Sequence, residues 1–227
     1  MSEARKKLPF DLISLPHFGY DANLVSGFIV QGSPMAARIF IPPRGEDEVT
    51  QSLWSDLLGD RLLSTTRWSE YADGDGCWRF NGHEFSHPQG WIGAETANRM
   101  ADILEVSVKK SKAIIIAAVS GVYAESEMIL GGCVRAISPP DCWYNPFTDV
   151  TLVANDNLSF FRAMTHENNC HFPVGLWPSD LSWCLASPLY SDSLFLSCSE
   201  KLYSTFTDSG LDIFPIRCDT PNPAEGD

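Results

Sequence analysis

The sequence lacks any apolar run long enough to cross a membrane. Its longest such stretch, 113–119, contains seven residues, whereas a spanning helix needs roughly 20. The charged start, with Arg5, Lys6 and Lys7, is followed by Pro9 and Asp11, so the apolar core of a signal peptide is missing. We therefore expect a cytoplasmic protein with no leader and no membrane partner.

Basic residues are also scarce. The 227 residues include 16 Lys and Arg against 29 Asp and Glu, which gives a net charge of −13. Most of the surplus lies after residue 138, where 12 acids face three bases. A negative field of this size disfavours nucleic acid as a partner and favours a cationic protein.

Most sequence motifs that indicate a particular catalytic or nucleotide-binding activity are missing as well. The chain has no nucleophile elbow, P-loop, dinucleotide-binding glycine motif or deaminase signature. Its seven cysteines are odd in number and include no Cys-x-x-Cys pair. Without an export signal, that pattern indicates reduced thiols. We therefore expect no cofactor.

One string does match a catalytic pattern, because His83, Glu84 and His87 spell H-E-x-x-H. On a helix the two histidines would lie about 5–6 Å apart at Cβ and share a zinc ion, with the glutamate as general base. An Asn-Gly pair before the string and a proline after it favour a hairpin strand instead. A strand separates the histidines by roughly 13 Å, too far for one ion. No metal is therefore expected, and a zinc hydrolase is the alternative function.

Hydrophobic periodicity divides the chain into short elements. It predicts strands over 27–32, 36–42, 77–80, 83–87, 113–119, 127–130, 150–154, 172–177, 182–186, 193–197 and 211–216. It predicts amphipathic helices over 46–58, 94–108 and 200–206, the last capped by Ser199. This arrangement favours an α+β fold of mainly antiparallel sheets with a few helices.

A proline-rich stretch around 138–146 suggests that the chain forms two lobes. The predicted division is an N-terminal α+β lobe over 1–138 and an acidic C-terminal α+β lobe over 139–218. Residues 219–227 are predicted to be a disordered tail.

Aromatic residues are frequent in the second half, and the loop 177–183 places Pro-Ser-Asp between two tryptophans. Trp is enriched at the energetic centres of interfaces, so this loop is the first candidate contact surface. A packed corner is an equal alternative. The predicted partner-binding residues are Trp177, Asp180, Trp183 and Asp192, with Asp149, Asp156 and Glu167 as secondary acids.

Residues 177–216 resemble the C-terminal segment of small bacterial immunity proteins associated with polymorphic toxins and type VI secretion. The resemblance is carried by Trp177-Pro178-x-Asp180-x-Ser182-Trp183, Leu194-Phe195-Leu196, Ser199-Glu200-x-Leu202 and Leu211-Asp212-Ile213. Those proteins usually have Gly-Gly before the helix, where this chain has Ser197-Cys198. The resemblance implies a cytosolic binding protein, not an enzyme, that blocks the active site of one cognate toxin.

Overall fold

The computed structural model describes residues 15–19, 23–45, 52–111, 114–120, 135–137, 150–155, 158, 162, 172–188 and 191–222. The strands within these residues are β1 (Met35–Phe40), β2 (Arg44–Gly45), β3 (Cys77–Phe80), β4 (His83–Ser86), β5 (Ile115–Ser120), β6 (Arg135–Ile137), β7 (Val150–Asn155), β8 (Gly175–Pro178), β9 (Cys184–Ala186), β10 (Ser193–Cys198) and β11 (Ile213–Pro215). The α-helices with described bounds are α1 (Trp54–Leu58), α2 (Ala94–Ser111) and α3 (Glu200–Thr207).

These strands form two antiparallel sheets. The larger sheet has eight strands in the order β11-β1-β10-β9-β8-β5-β7-β6, and the smaller has three in the order β2-β4-β3. Each of their neighbouring pairs runs antiparallel. The predicted α+β class, with mainly antiparallel sheets and a few helices, is confirmed.

Two of the three predicted helices, α2 and α3, follow the sequence pattern closely. The helix predicted over 46–58 is shorter, because α1 begins only at Trp54 after extended backbone at Leu53. Residues 46–51 and the strand predicted over 127–130 lie outside the described residues.

α2 buries Ala97, Met100 and Leu104 on one side, as the predicted amphipathic helix requires. α3 begins after Ser199, whose Oγ accepts a hydrogen bond from the backbone N–H of Leu202 at 3.3 Å, so the predicted cap is present. None of the described helices combines the length and apolar character needed to cross a membrane.

The larger sheet lies between two hydrophobic layers, because side chains alternate along each strand. On β10, Leu194 and Leu196 join the layer that includes α2 and α3, whereas Phe195 joins the opposite layer. Residues 25–28 cover that second face as a 3₁₀ helix, with Val25 and Phe28 buried. The prediction of a strand over 27–32 is therefore wrong. An apolar run without strict alternation is compatible with a strand or a helical turn, and here packing against the sheet favours the helical turn.

The sheet also overturns the expected division at residue 138. β1 pairs with β10 from Met35↔Cys198 to Phe40↔Ser193, and β5 pairs with both β7 and β8. Strands from 1–138 and 139–218 therefore share one sheet and do not form separate lobes. A proline-rich stretch signals a loop, and a loop need not end a domain.

The start of the predicted tail is packed as well. The backbone N–H of Asn222 donates to the carbonyl of Asn23 at 2.8 Å, and that of Val25 donates to the carbonyl of Thr220 at 2.9 Å. Asn222 is buried. Disorder predicted from residue 219 is therefore wrong for 219–222, while 223–227 lie outside the described residues.

A fully buried arginine, Arg38 of β1, connects the larger sheet to the loop that follows α1. Its Nη2 donates to Asp192 Oδ1 at 3.0 Å, and its Nη1 donates to the carbonyls of Ser64 and Thr66 at 2.9 and 2.6 Å. Its Nε donates to Ser193 Oγ at 2.7 Å. Because a buried charge is tolerated only when it is paired and hydrogen-bonded, this set of partners holds the loop against the sheet.

We expect Asp192→Ala to destabilise the fold strongly, because it leaves the Arg38 guanidinium buried without its carboxylate. The free energy of unfolding should fall by about 3–5 kcal/mol, as measured by urea denaturation. Asp219→Ala is the matched control, since it removes an exposed ion pair with Arg217 and should leave the midpoint unchanged. Equal midpoints for the two variants would contradict the role of the buried pair.

Candidate binding surface

The β8–β9 turn lies between two buried tryptophans. Trp177 and Trp183 are 0% and 1% exposed, and they pack into the layers on opposite faces of the larger sheet. The structure therefore places both side chains in the core, which matches the packed-corner alternative. Each ring points into the hydrophobic layer that covers one face of the sheet. Burial there removes a large apolar area from water and so stabilises the fold.

Asp180 occupies the exposed tip of that turn. Its Oδ1 accepts a hydrogen bond from the backbone N–H of Ser182 at 3.0 Å. The turn is tied to the residue before β5, because Ser179 N–H donates to the Ile114 carbonyl at 2.7 Å and Ile114 N–H donates to Ser179 Oγ at 3.1 Å. The Asp180 carboxylate is therefore held in position by the fold itself.

Beside the turn, α2 and α3 enclose a groove of about 300 Å³, which we call the α2–α3 groove. Ile103 and Val106 of α2 and Leu202 of α3 supply its apolar surface. Its polar lining consists of Ser107, Asp180, Ser182, Ser199, Lys201 and Thr205. The volume is at the lower end of the roughly 300–1,000 Å³ that is typical of ligand pockets.

Sequence reasoning did not single out this groove, although one signal for it exists. The buried stripe of α2 runs through Ala97, Met100, Leu104 and Val108. Val106 lies off that stripe and is 57% exposed. An apolar residue on the polar side of an amphipathic helix is a weak indication of a contact surface.

Asp192, the other predicted acid that the structure describes, does not join this surface. Asp192 is fully buried and bonded to Arg38, so its carboxylate stabilises the fold and does not face a partner. The remaining predicted acids, Asp149, Asp156 and Glu167, lie outside the described residues. Among the predicted binding residues that are described, Asp180 alone is exposed.

The H-E-x-x-H string lies on a hairpin. β3 and β4 are joined by Asn81 and Gly82, which have φ of 51° and 82°, and Phe80 pairs with His83. These positive φ values are those of the tight hairpin turn that Asn-Gly favours. His83 therefore starts a strand, and at strand rise His87 follows roughly 13 Å away. Within the described residues, no group of three or more His, Cys, Asp or Glu could hold a metal ion.

Glu84 belongs to an ion-pair cluster on the same hairpin. The Arg79 guanidinium lies 2.7 Å from Asp73 Oδ2, 2.7 Å from Asp75 Oδ2 and 2.8 Å from Glu84 Oε2. Its hydrogen bond to Asp75 lowers the pKa of that carboxyl below its usual range. The glutamate that would serve as general base is therefore engaged with an arginine.

Within the part of the chain that the structure describes, the two buried thiols, Cys184 and Cys198, do not supply a nucleophile. Cys184 and Cys198 join the layers on opposite faces of the larger sheet, so they cannot form a disulfide with each other. Loss of solvation raises the pKa of the Cys198 thiol to about 12 and raises that of Cys184 as well. Both stay protonated at neutral pH, and the thiolate is the reactive form.

Comparison with known proteins gives no match. No family model, no curated protein and no solved structure is significantly similar to this chain. The role of the α2–α3 groove is therefore inferred from its own residues and geometry.

We expect chelation to leave the protein unchanged. Dialysis against a chelator should not alter the Tm, because the hairpin holds the two histidines too far apart for one ion. His83→Ala should also leave the Tm unchanged, since His83 is exposed. Elemental analysis of protein purified without added metal provides the check. Stoichiometric zinc that is lost in the His83→Ala variant would restore the zinc-hydrolase alternative.

We expect the two tryptophans to behave as core residues. Trp177→Ala and Trp183→Ala should each lower the free energy of unfolding by about 3–5 kcal/mol, as measured by denaturant titration. Asp180→Asn, which changes the exposed residue between them, should leave the midpoint unchanged. If the two tryptophan variants had nearly the same free energy of unfolding as the wild-type protein, the rings would not be packed as described.

Proposed function

We propose that this chain is an immunity-type protein that binds a cognate antibacterial toxin in the cytoplasm and neutralises it by covering the toxin's active site. The observation that carries the proposal is the exposed Asp180 turn, held rigid beside an open apolar groove. An apolar centre with a polar rim is the usual composition of a protein–protein contact surface. The resemblance of residues 177–216 to immunity proteins supports the same conclusion.

The charge of the chain favours a basic partner. The net charge of −13 creates a negative field that attracts a cationic protein from a distance. Such attraction mainly raises the association rate and helps to select the partner. An acidic surface is also a suitable cover for a cationic cleft that binds phosphate groups, as in a nuclease toxin.

The groove offers hydrogen-bonding groups more than reactive ones, which favours binding over catalysis. Ser199 Oγ caps α3, and Thr205 Oγ1 donates to the Lys201 carbonyl at 3.1 Å. A serine or threonine nucleophile needs an adjacent base to activate it. Two of the hydroxyls in the groove are instead used within the helix that carries them.

We expect one toxin-like protein to co-elute when the chain is purified from its native host, with identification by mass spectrometry. The association rate of the purified pair should fall roughly 10-fold or more between about 0.05 and 0.5 M salt, because electrostatic steering is screened. Asp180→Lys should slow association further, whereas Asp219→Lys, at a residue that does not line the groove, should have a smaller effect.

Two results would contradict the proposed function. One is a native-host purification in which no toxin-like protein co-elutes. The other is a co-purified partner whose toxicity is unaffected by co-expression of this chain.

A further inference from the structure

We propose that this chain associates with itself head to tail, with Leu63 of one copy seated in the α2–α3 groove of a second copy. The contact joins two different surfaces, so it extends into short chains or closes into a ring. The inference goes beyond the proposed function and does not depend on it, because it concerns the chain without a toxin.

Leu63 is an apolar side chain presented by a fixed turn, residues 63–66, which we call the Leu63 turn. Among the residues that the structure describes, Leu63 at 59% and Val106 at 57% are the exposed large hydrophobics. Thr66 N–H donates to the Leu63 carbonyl at 3.0 Å, and Leu63 N–H donates to Thr66 Oγ1 at 2.9 Å. Arg38 holds the turn against the sheet through its bonds to two carbonyls of the turn. A rigid turn has little further freedom to lose on binding.

The packing of Leu62 directs Leu63 into solvent. Leu62 is 5% exposed and belongs to the cluster that contains Trp54, Trp68 and Trp78. Its backbone is extended, and successive side chains of extended backbone point in opposite directions. A single exposed leucine is common on protein surfaces, and what makes this one informative is a matching groove on the same molecule.

The α2–α3 groove supplies the concave surface that fits this side chain. Its volume of about 300 Å³ is enough for one leucine side chain with adjoining backbone. Ile103, Val106 and Leu202 form its apolar walls. Seating Leu63 there removes apolar surface of both copies from water without unfolding any element.

Charge in the groove selects neither a cation nor an anion, because the lining includes one acid, Asp180, and one base, Lys201. The approach to the Leu63 turn is balanced in the same way, since Asp60 and Arg61 are both exposed. Two copies that each carry a net charge of −13 repel one another. Contact through two charge-balanced apolar surfaces avoids placing like charges directly opposite each other.

The two surfaces lie on opposite faces of the larger sheet, so one molecule cannot bring them together. Ile39 of β1 packs in the layer that contains the buried residues of α2, and Ile103 and Leu202 of the groove pack against that layer. Arg38, the preceding residue of β1, points to the other face, where it bonds to the Leu63 turn. Leu63 can therefore reach only the groove of another copy.

The contact is small, so the association is weak. One seated side chain buries much less than the roughly 1,200–2,000 Å² of a stable protein interface. We expect a dissociation constant on the order of 0.1 mM. Added salt should strengthen self-association by screening the repulsion between copies, whereas it should slow the association with a cationic toxin. A toxin that binds the same groove displaces the second copy.

Two variants that each lose a different surface test the contact. Leu63→Asp removes the apolar side chain and keeps the groove, whereas Val106→Asp blocks the groove and keeps Leu63. At about 0.5 mM, wild-type protein should form dimers and larger species in sedimentation velocity, and each variant alone should be monomeric. An equimolar mixture of the two variants should form dimers and nothing larger, because it contains one intact Leu63 turn and one intact groove for each pair.

Amide chemical shifts assign the contact to its residues. Unlabelled Val106→Asp protein, added to ¹⁵N-labelled Leu63→Asp protein, should shift the amides of residues 103–107 and 199–205. With the labels exchanged, the amides of residues 61–66 should shift. The matched control is unlabelled protein that carries both substitutions, which should cause no shift. The spectra also report whether each variant is folded, and both substituted residues are exposed.

Three results overturn the inference. The first is wild-type protein that stays monomeric at about 0.5 mM. The second is wild-type protein that associates while the mixed variants do not, which means that the contact joins other surfaces. The third is an equal shift with the control that carries both substitutions. None of these measurements includes a toxin, so each leaves the proposed function standing, and the absence of a toxin partner in the host leaves the self-association standing.

Discussion

The burial of Trp177 and Trp183 on opposite faces of the larger sheet is the constraint on which the candidate surface depends. Each ring removes an area of about 150–250 Å² from water, which stabilises the fold by roughly 4–6 kcal/mol as an upper estimate. Because the ends of β8 and β9 are fixed in this way, the five residues between the rings have little freedom. Asp180 therefore reaches solvent from a rigid support, which lowers the entropy cost of binding.

The acidic composition has two separate roles in this chain. Asp192 is an internal group that balances Arg38 and, through that arginine, holds the loop containing Ser64 and Thr66 against the sheet. Asp212 is also buried, and its Oδ2 accepts a hydrogen bond from the Ser55 N–H at 3.1 Å. Part of the surplus of acids thus stabilises the fold, and only the exposed remainder can act on a partner.

Local patterns in the sequence were enough to predict β1, the β3–β4 hairpin, α2 and the Ser199 cap of α3, because each depends on residues a few positions apart. The strand order of the larger sheet was not predictable in this way, since the pairing of β1 with β10 joins residues more than 150 positions apart. Buried and exposed tryptophans look identical in sequence, so the expected contact role of Trp177 could not be separated from packing. The α2–α3 groove also depends on long-range contacts, because its walls come from two helices that meet only in the folded chain. The sequence pattern of either helix alone does not predict it.

The central claim is that the Asp180 turn and the α2–α3 groove form the contact surface for a toxin. Amide hydrogen exchange of the purified complex, compared with the free chain, tests it most directly. The account predicts slower exchange on binding at residues 103–107, 179–182 and 199–205, with the hairpin 77–86 unchanged. Slower exchange confined to other residues, with these three segments unaffected, would contradict it.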